Sequence, residues 1–265
     1  MLNQTTKKNT LGKAINGTTA LFAIGLTLLG TSCNKASHDN TTSIYAGAEW
    51  PTYGGNFAGN RYSTLEQINK ENVNQLQVSW KYQARTSPAL GERPKKIECH
   101  PLMIDGVLYG TGTETQLFAL DAATGKELWV FTPEGVNRNL RGLSYWQNDS
   151  GTDKRIFFVA GSYLYAIDVE TGKPIKTFGD NGRADLHVGL ENDRFDVRNY
   201  SITATSPGVI YQNVLVMGST VPDNGEALPG NIRGFDVLTG KLLWNFITVP
   251  RPGEYAYDTW PEDAY

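Results

Sequence analysis

Three stretches of the chain carry one pattern: Leu-Phe-Ala-Leu-Asp-Ala-Ala-Thr-Gly-Lys-Glu-Leu-Trp at 117–129, Leu-Tyr-Ala-Ile-Asp-Val-Glu-Thr-Gly-Lys at 164–173, and Ile-Arg-Gly-Phe-Asp-Val-Leu-Thr-Gly-Lys-Leu-Leu-Trp at 232–244. Each predicts a strand, a tight Asp-x-x-Thr-Gly-Lys turn and a second strand. Apolar residues alternate before the turn, and its glycine supplies a positive φ that other residues adopt only at a steric cost. Asp121, Asp168 and Asp236 mark the repeat at intervals of 47 and 68 residues. An interval in the forties is the length of one four-stranded propeller blade, and the longer one predicts a blade with an insertion of about twenty residues.

The remaining pattern agrees with an all-β propeller. Strand candidates at 76–82, 102–109, 117–120, 128–131, 156–160, 164–168, 208–211, 214–217, 232–236 and 242–248 are short and contain no strand–helix–strand alternation. Three repeats predict about three blades, whereas a propeller closes with at least four. The chain therefore reads as the front part of a longer protein. A net charge of −3, with no cluster of Lys and Arg in the globular part, argues against nucleic acid as a partner.

The first residues read as a targeting segment. Lys7, Lys8 and Lys13 precede an apolar run at 18–30 that is short for a bilayer span, and Gly30-Thr31-Ser32 stands directly before Cys33. This is the layout of a bacterial lipoprotein signal over residues 1–33, with Cys33 lipidated and the protein anchored on the periplasmic side of a membrane. Gly30 stands where such signals usually carry Leu, so an ordinary secretory signal or a short anchor is the alternative. Residues 34–48 are small and polar, as in a flexible tether, and 49–265 form the partial propeller. With Cys33 lipidated, Cys99 has no partner and no disulfide is expected.

The repeat Ala-x-Asp-x-x-Thr-Gly-Lys-x-x-Trp resembles the tryptophan-docking motif of the pyrroloquinoline quinone (PQQ) dehydrogenases, over roughly residues 49–265. The resemblance implies an eight-bladed propeller with the quinone on its central axis, of which about the first three blades are present. On the repeat alone, a non-catalytic lipoprotein propeller that scaffolds outer-membrane protein assembly fits equally. Other residues favour the dehydrogenase. Glu98, in Ile97-Glu98-Cys99-His100-Pro101-Leu102, stands where the family places a Glu that touches the quinone. Arg141, in Arg141-Gly142-Leu143-Ser144-Tyr145-Trp146, resembles the family's Arg that pairs with a cofactor carboxylate. Thr205-Ser206-Pro207 and Gly218-Ser219-Thr220 are similar to its next cofactor-contacting turns, which makes Thr205, Ser219 and Thr220 candidates. Asp223-Asn224 falls at the offset of the metal-binding pair in the glucose dehydrogenase branch, which implies Ca²⁺ or Mg²⁺.

The donor set suits the ligand that the resemblance implies. PQQ is a flat, tricarboxylated ortho-quinone, so its site needs a bidentate cation, hydroxyl donors and a hard metal ion. Taken singly, each residue has a plainer reading. Glu98 could be a strand-edge carboxylate, Arg141 a surface partner of Asp149 or Asp153, Pro222-Asp223-Asn224-Gly225 a bare turn, and His100 and His187 satisfied loop histidines.

The chain also departs from the family. Val136-Asn137-Arg138-Asn139-Leu140 has neither the adjacent Cys pair of the methanol type nor the glucose type's His, whose place is taken by Asn137. Lys176 stands where the other repeats have Trp129 and Trp244, so a weaker docking contact is expected there. The family's catalytic Asp and stacking Trp are expected beyond residue 265, so no catalytic base is named and the piece alone is expected to be inactive. The implied activity is oxidation of a small sugar, polyol or alcohol, with electrons passed to a membrane quinone or cytochrome. The Asp-Asn pair and the missing Cys pair tilt the substrate toward the glucose or polyol type.

Overall fold

Short apolar runs separated by Asp, Asn and Gly fold into successive hairpins. The computed structural model describes residues 49–84, 96–134, 140–191, 195–222 and 227–261, all within one compact unit spanning 41–265. Twelve strands among them form three antiparallel sheets, each built from four strands in chain order. The first holds β1 (Leu102–Ile104), β2 (Val107–Thr111), β3 (Leu117–Asp121) and β4 (Glu127–Phe131). The second holds β5 (Ser144–Gln147), β6 (Lys154–Ala160), β7 (Tyr163–Asp168) and β8 (Arg183–Asp185). The third holds β9 (Val209–Tyr211), β10 (Val214–Met217), β11 (Ile232–Asp236) and β12 (Leu242–Phe246). A four-stranded meander is the unit of a propeller blade, so the three repeats are three blades.

Several elements differ from the sequence expectation. The single strand expected at 102–109 is the β1–β2 hairpin, because Asp105 (φ 51°) and Gly106 (φ 76°) both take the left-handed conformation of a two-residue turn. The segment 76–82 carries no strand ladder among the described residues. The short strands β5 and β8 were not expected. The extra length of the long interval falls in two places: an excursion at 176–182 before β8, and the connection from β8 to β9, which includes a 3-10 turn at Val197–Asn199.

Blade 2 is buried on both faces, and strand periodicity divides its side chains. Along β6, Ile156, Phe158 and Ala160 share a core with Leu102, Leu117 and Ala119 of the first blade. Phe157 and Val159, on the opposite face, share one with Leu215 and Phe235 of the third. This is why β6 reads as an almost unbroken apolar run.

The repeated turn is the same in all three blades. Asp121 Oδ1 accepts from Thr124 N (2.8 Å) and Oγ1 (2.6 Å), Asp168 Oδ1 from Thr171 N (2.7 Å) and Oγ1 (2.6 Å), and Asp236 Oδ1 from Thr239 N (2.6 Å) and Oγ1 (2.7 Å). The Thr124 hydroxyl, and then its amide, hold the Asp121 carboxyl below its ordinary range. What that turn contributes is therefore present at neutral pH and is lost only as pH falls through the lowered value.

Each turn is a docking platform for the preceding chain. Trp80 Nε1 donates to Ala122 O (3.1 Å), and Trp129 Nε1 donates to Val169 O (3.0 Å). Their rings lie on Gly125 (φ 70°) and Gly172 (φ 67°), where a Cβ would stand 2.5 Å from a ring carbon. Glycine is thus required twice over, by the backbone and by the ring.

The second-to-third contact, expected to be weak because of Lys176, is instead rebuilt from two residues. Pro174 bridges Ile167 but has no N–H to extend the ladder, and after Ile175 the chain leaves the sheet. The excursion buries Phe178 fully, with its ring against Gly240, and Gly179 N donates to Thr239 O (2.8 Å). The missing indole N–H is supplied by Arg155, whose Nη1 donates to Val237 O (2.9 Å) and Leu238 O (3.0 Å). Val237 follows Asp236 as Ala122 follows Asp121 and Val169 follows Asp168. A fork to Asp153 (Nε–Oδ1 2.8 Å, Nη2–Oδ2 2.6 Å) holds the guanidinium in place.

Candidate functional site

The first strands of the second and third blades lie side by side. β5 touches β9, and Ser144 Oγ donates to Gly208 O (2.7 Å). Just ahead of these strands the entry segments are joined across the blades. His100 N donates to Arg141 O (2.9 Å), and Arg141 N donates to Thr205 O (2.8 Å). Blade 3 adds the exit of β10: Thr220 N donates to Thr203 O (2.7 Å) and Thr203 N to Thr220 O (3.2 Å). Glu98, Arg141, Thr205, Ser219 and Thr220 therefore gather at one end of the three blades, although they are scattered over more than a hundred positions of sequence.

Their side chains differ in exposure. Glu98, Arg141 and Thr220 are exposed, whereas Thr205 and Ser219 are half-buried. Among the described residues, Glu98, Arg141, Thr205 and Thr220 make no side-chain hydrogen bond or ion pair. Asp153, one of the surface partners considered for Arg141, is engaged by Arg155 instead. A guanidinium fork and hydroxyls brought into neighbouring segments by these backbone bonds are the donor types that a planar polycarboxylate needs, a bidentate cation and neutral donors together. Asp223, Asn224, Cys33 and Asn137 lie outside the described residues. Among the described residues no cluster of His, Cys, Asp and Glu could hold a metal ion.

Both histidines weighed from sequence have partners. The His187 ring lies 2.7 Å from Asp185 Oδ1 through Nδ1 and 3.0 Å from Tyr200 O through Nε2. The His100 ring packs on Tyr53 at 4.8 Å between centroids.

Two contributors escaped the sequence reading. Tyr53 sits on Gly142, where a Cβ would stand 2.8 Å from its ring and 3.1 Å from Pro207. The N-terminal segment that carries it is fixed by the exchange of backbone bonds between Trp50 and Met103, so it covers the same blade ends. The second is Arg233, fully buried on β11. Its Nη2 donates to Ser219 Oγ (2.8 Å), and its Nη1 donates to the carbonyls of Leu186 and Val188. Desolvation pushes its pKa down to about 10, opposed by Asp185 and Glu191, so it stays cationic at neutral pH. The signal in sequence was a charged residue on the same strand face as Phe235, two positions on.

Four-stranded blades docked through a Trp on an Asp-x-x-Thr-Gly turn define a β-propeller. The comparisons name the class. The family model "PQQ: Glucose/ethanol/alcohol dehydrogenase, beta-propeller domain" matches residues 50–265, and the chain belongs to that family. It is 35% identical over 237 residues to the quinoprotein glucose dehydrogenase of Escherichia coli (strain K12), covering 82% of this chain and 29% of that protein. It is 33% identical to the dehydrogenase subunit of the alcohol dehydrogenase (quinone) of Gluconobacter oxydans (strain 621H), covering 77% of this chain and 25% of that one. Among solved structures, it is similar to the quinohemoprotein alcohol dehydrogenase from Comamonas testosteroni, with a TM-score of 0.61, 25% identity, and 77% of this chain and 28% of that chain covered. The chain thus spans under a third of the length of these relatives.

Proposed function

We propose that this chain is the opening part of a PQQ-dependent dehydrogenase that oxidises a sugar, polyol or alcohol and passes the electrons to a membrane quinone or cytochrome. The observation that supports the reading is the backbone link from His100 through Arg141 to Thr205, which joins these segments of successive blades. When bound, PQQ supplies an electrophilic quinone carbonyl that accepts hydride. Arg141 orients a carboxylate through its fork, Thr205, Ser219 and Thr220 offer hydroxyls, and Glu98 lines the same end. Asp223 and Asn224 would hold Ca²⁺ or Mg²⁺, whose charge polarises a carbonyl oxygen. A substrate of the glucose or polyol type accords with the Asp-Asn pair and the missing Cys pair. A scaffolding propeller would scatter these residues over its surface, so the backbone links that bring Arg141 and Thr205 to one end of the blades favour the dehydrogenase reading.

The complete propeller containing this chain, reconstituted with PQQ and Ca²⁺, is expected to gain dye-linked oxidation of a sugar or alcohol. Chelation removes the activity, and Ca²⁺ or Mg²⁺ restores it. Activity that survives prolonged chelation overturns the Asp223/Asn224 assignment, and the absence of any PQQ-dependent oxidation favours the scaffold.

Anchoring through Cys33 on the periplasmic side belongs to the same proposal. A lipidated Cys33 incorporates labelled fatty acid, and Cys33→Ser abolishes the label. Equal labelling of both, or of neither, removes the lipoprotein assignment and leaves the propeller untouched.

A further inference from the structure

Arg233 is a buried cation that no carboxylate touches among the described residues. Its partners are the Leu186 and Val188 carbonyls and the Ser219 hydroxyl, and among the described residues its Nε has no acceptor. Asp185, the stronger in effect of the two carboxylates that act on it through space, is already engaged by His187 and Arg198. A buried charge without a counter-ion is costly, and an arriving anion relieves that cost.

The bond to Ser219 has a directional consequence. A serine hydroxyl holds one proton and two acceptor lone pairs. A guanidinium only donates, so Nη2 occupies a lone pair and leaves the hydroxyl proton to be given elsewhere. A cation one bond away also polarises that O–H toward an anionic acceptor. Ser219 adjoins Thr220, which is paired with Thr203 two residues from Thr205, so this committed donor sits at the same blade ends as Arg141.

We infer that Arg233 is a positioning residue that acts through Ser219, fixing its hydroxyl as a donor to a carboxylate of the bound cofactor. The inference rests on the PQQ reading above and extends it to a residue that never touches the ligand. Arg141 would then be the contacting cation at this end, and Arg233 the concealed one.

Absorbance titration of the complete apo-propeller with PQQ tests it, using the wild type, Ser219→Ala, Arg233→Met and the double variant, with apo melting temperatures recorded alongside. Each single substitution is expected to weaken PQQ at least about ten-fold, the scale of one charge-assisted hydrogen bond. The double variant is expected to bind no worse than the weaker single, because both remove one link. If Arg233→Met does not fold, Arg233→Lys takes its place in the cycle with the same expectation. Losses that multiply in the double variant, or an Arg233 variant that binds like the wild type, overturn the positioning role while leaving the cofactor reading intact. A wild-type protein that binds no PQQ overturns the cofactor reading itself.

Discussion

Arg155→Ala will loosen the second blade from the third, and Lys176→Ala will not. Arg155 is almost fully buried, and it alone replaces the indole N–H that secures the other two docking contacts. Its removal leaves the Val237 and Leu238 carbonyls without that donor and strands Asp153 without its fork. Asp153 is about a third exposed and is rehydrated, so the main loss is the charge-assisted hydrogen bonding to the buried Val237 carbonyl, about 1.5–3 kcal/mol, while Phe178→Ala, which empties the other half of the substitute, costs about 3–5 kcal/mol. Lys176 is exposed, and its truncation falls within about 0.5 kcal/mol. The melting temperature of the complete propeller reads all three. A large effect of Lys176→Ala with a small one of Arg155→Ala would contradict the docking account.

Arg141→Ala will weaken PQQ more than Arg141→Lys. Lysine keeps the charge but offers a point donor where the carboxylate is met by a planar fork. Removing one partner of a charge pair that becomes buried on binding costs about 2–5 kcal/mol, or roughly 30-fold and upward in affinity. Equal and small losses for both substitutions would make Arg141 a surface residue with no part in the site.

What sequence could show follows from where each interaction lies along the chain. The turn of each repeat is local: Asp121 bonds Thr124 three residues on, and Gly125 closes it, so composition and spacing display it directly. The substitute for the missing Trp is not local. Phe178 sits two residues past the expected position, and Arg155 lies on another strand of the same blade. A single-residue comparison at Lys176 therefore saw only a loss.

The candidate site divides in the same way. Glu98, Arg141, Thr205, Ser219 and Thr220 are recognisable one motif at a time. Their convergence depends on backbone bonds between blades, as from His100 to Arg141 and on to Thr205, which no spacing rule announces. Arg233 stayed hidden because a strand arginine usually reaches solvent, whereas this one turns inward to Ser219.

We propose that these blade ends bind PQQ through Arg141 and its neighbours. Equilibrium titration of the complete apo-propeller with PQQ tests it most directly. Saturable binding of one PQQ per chain is expected, weakened at least about 30-fold by Arg141→Ala. Absence of binding, or binding indifferent to Arg141, Thr205 and Ser219 alike, would contradict it.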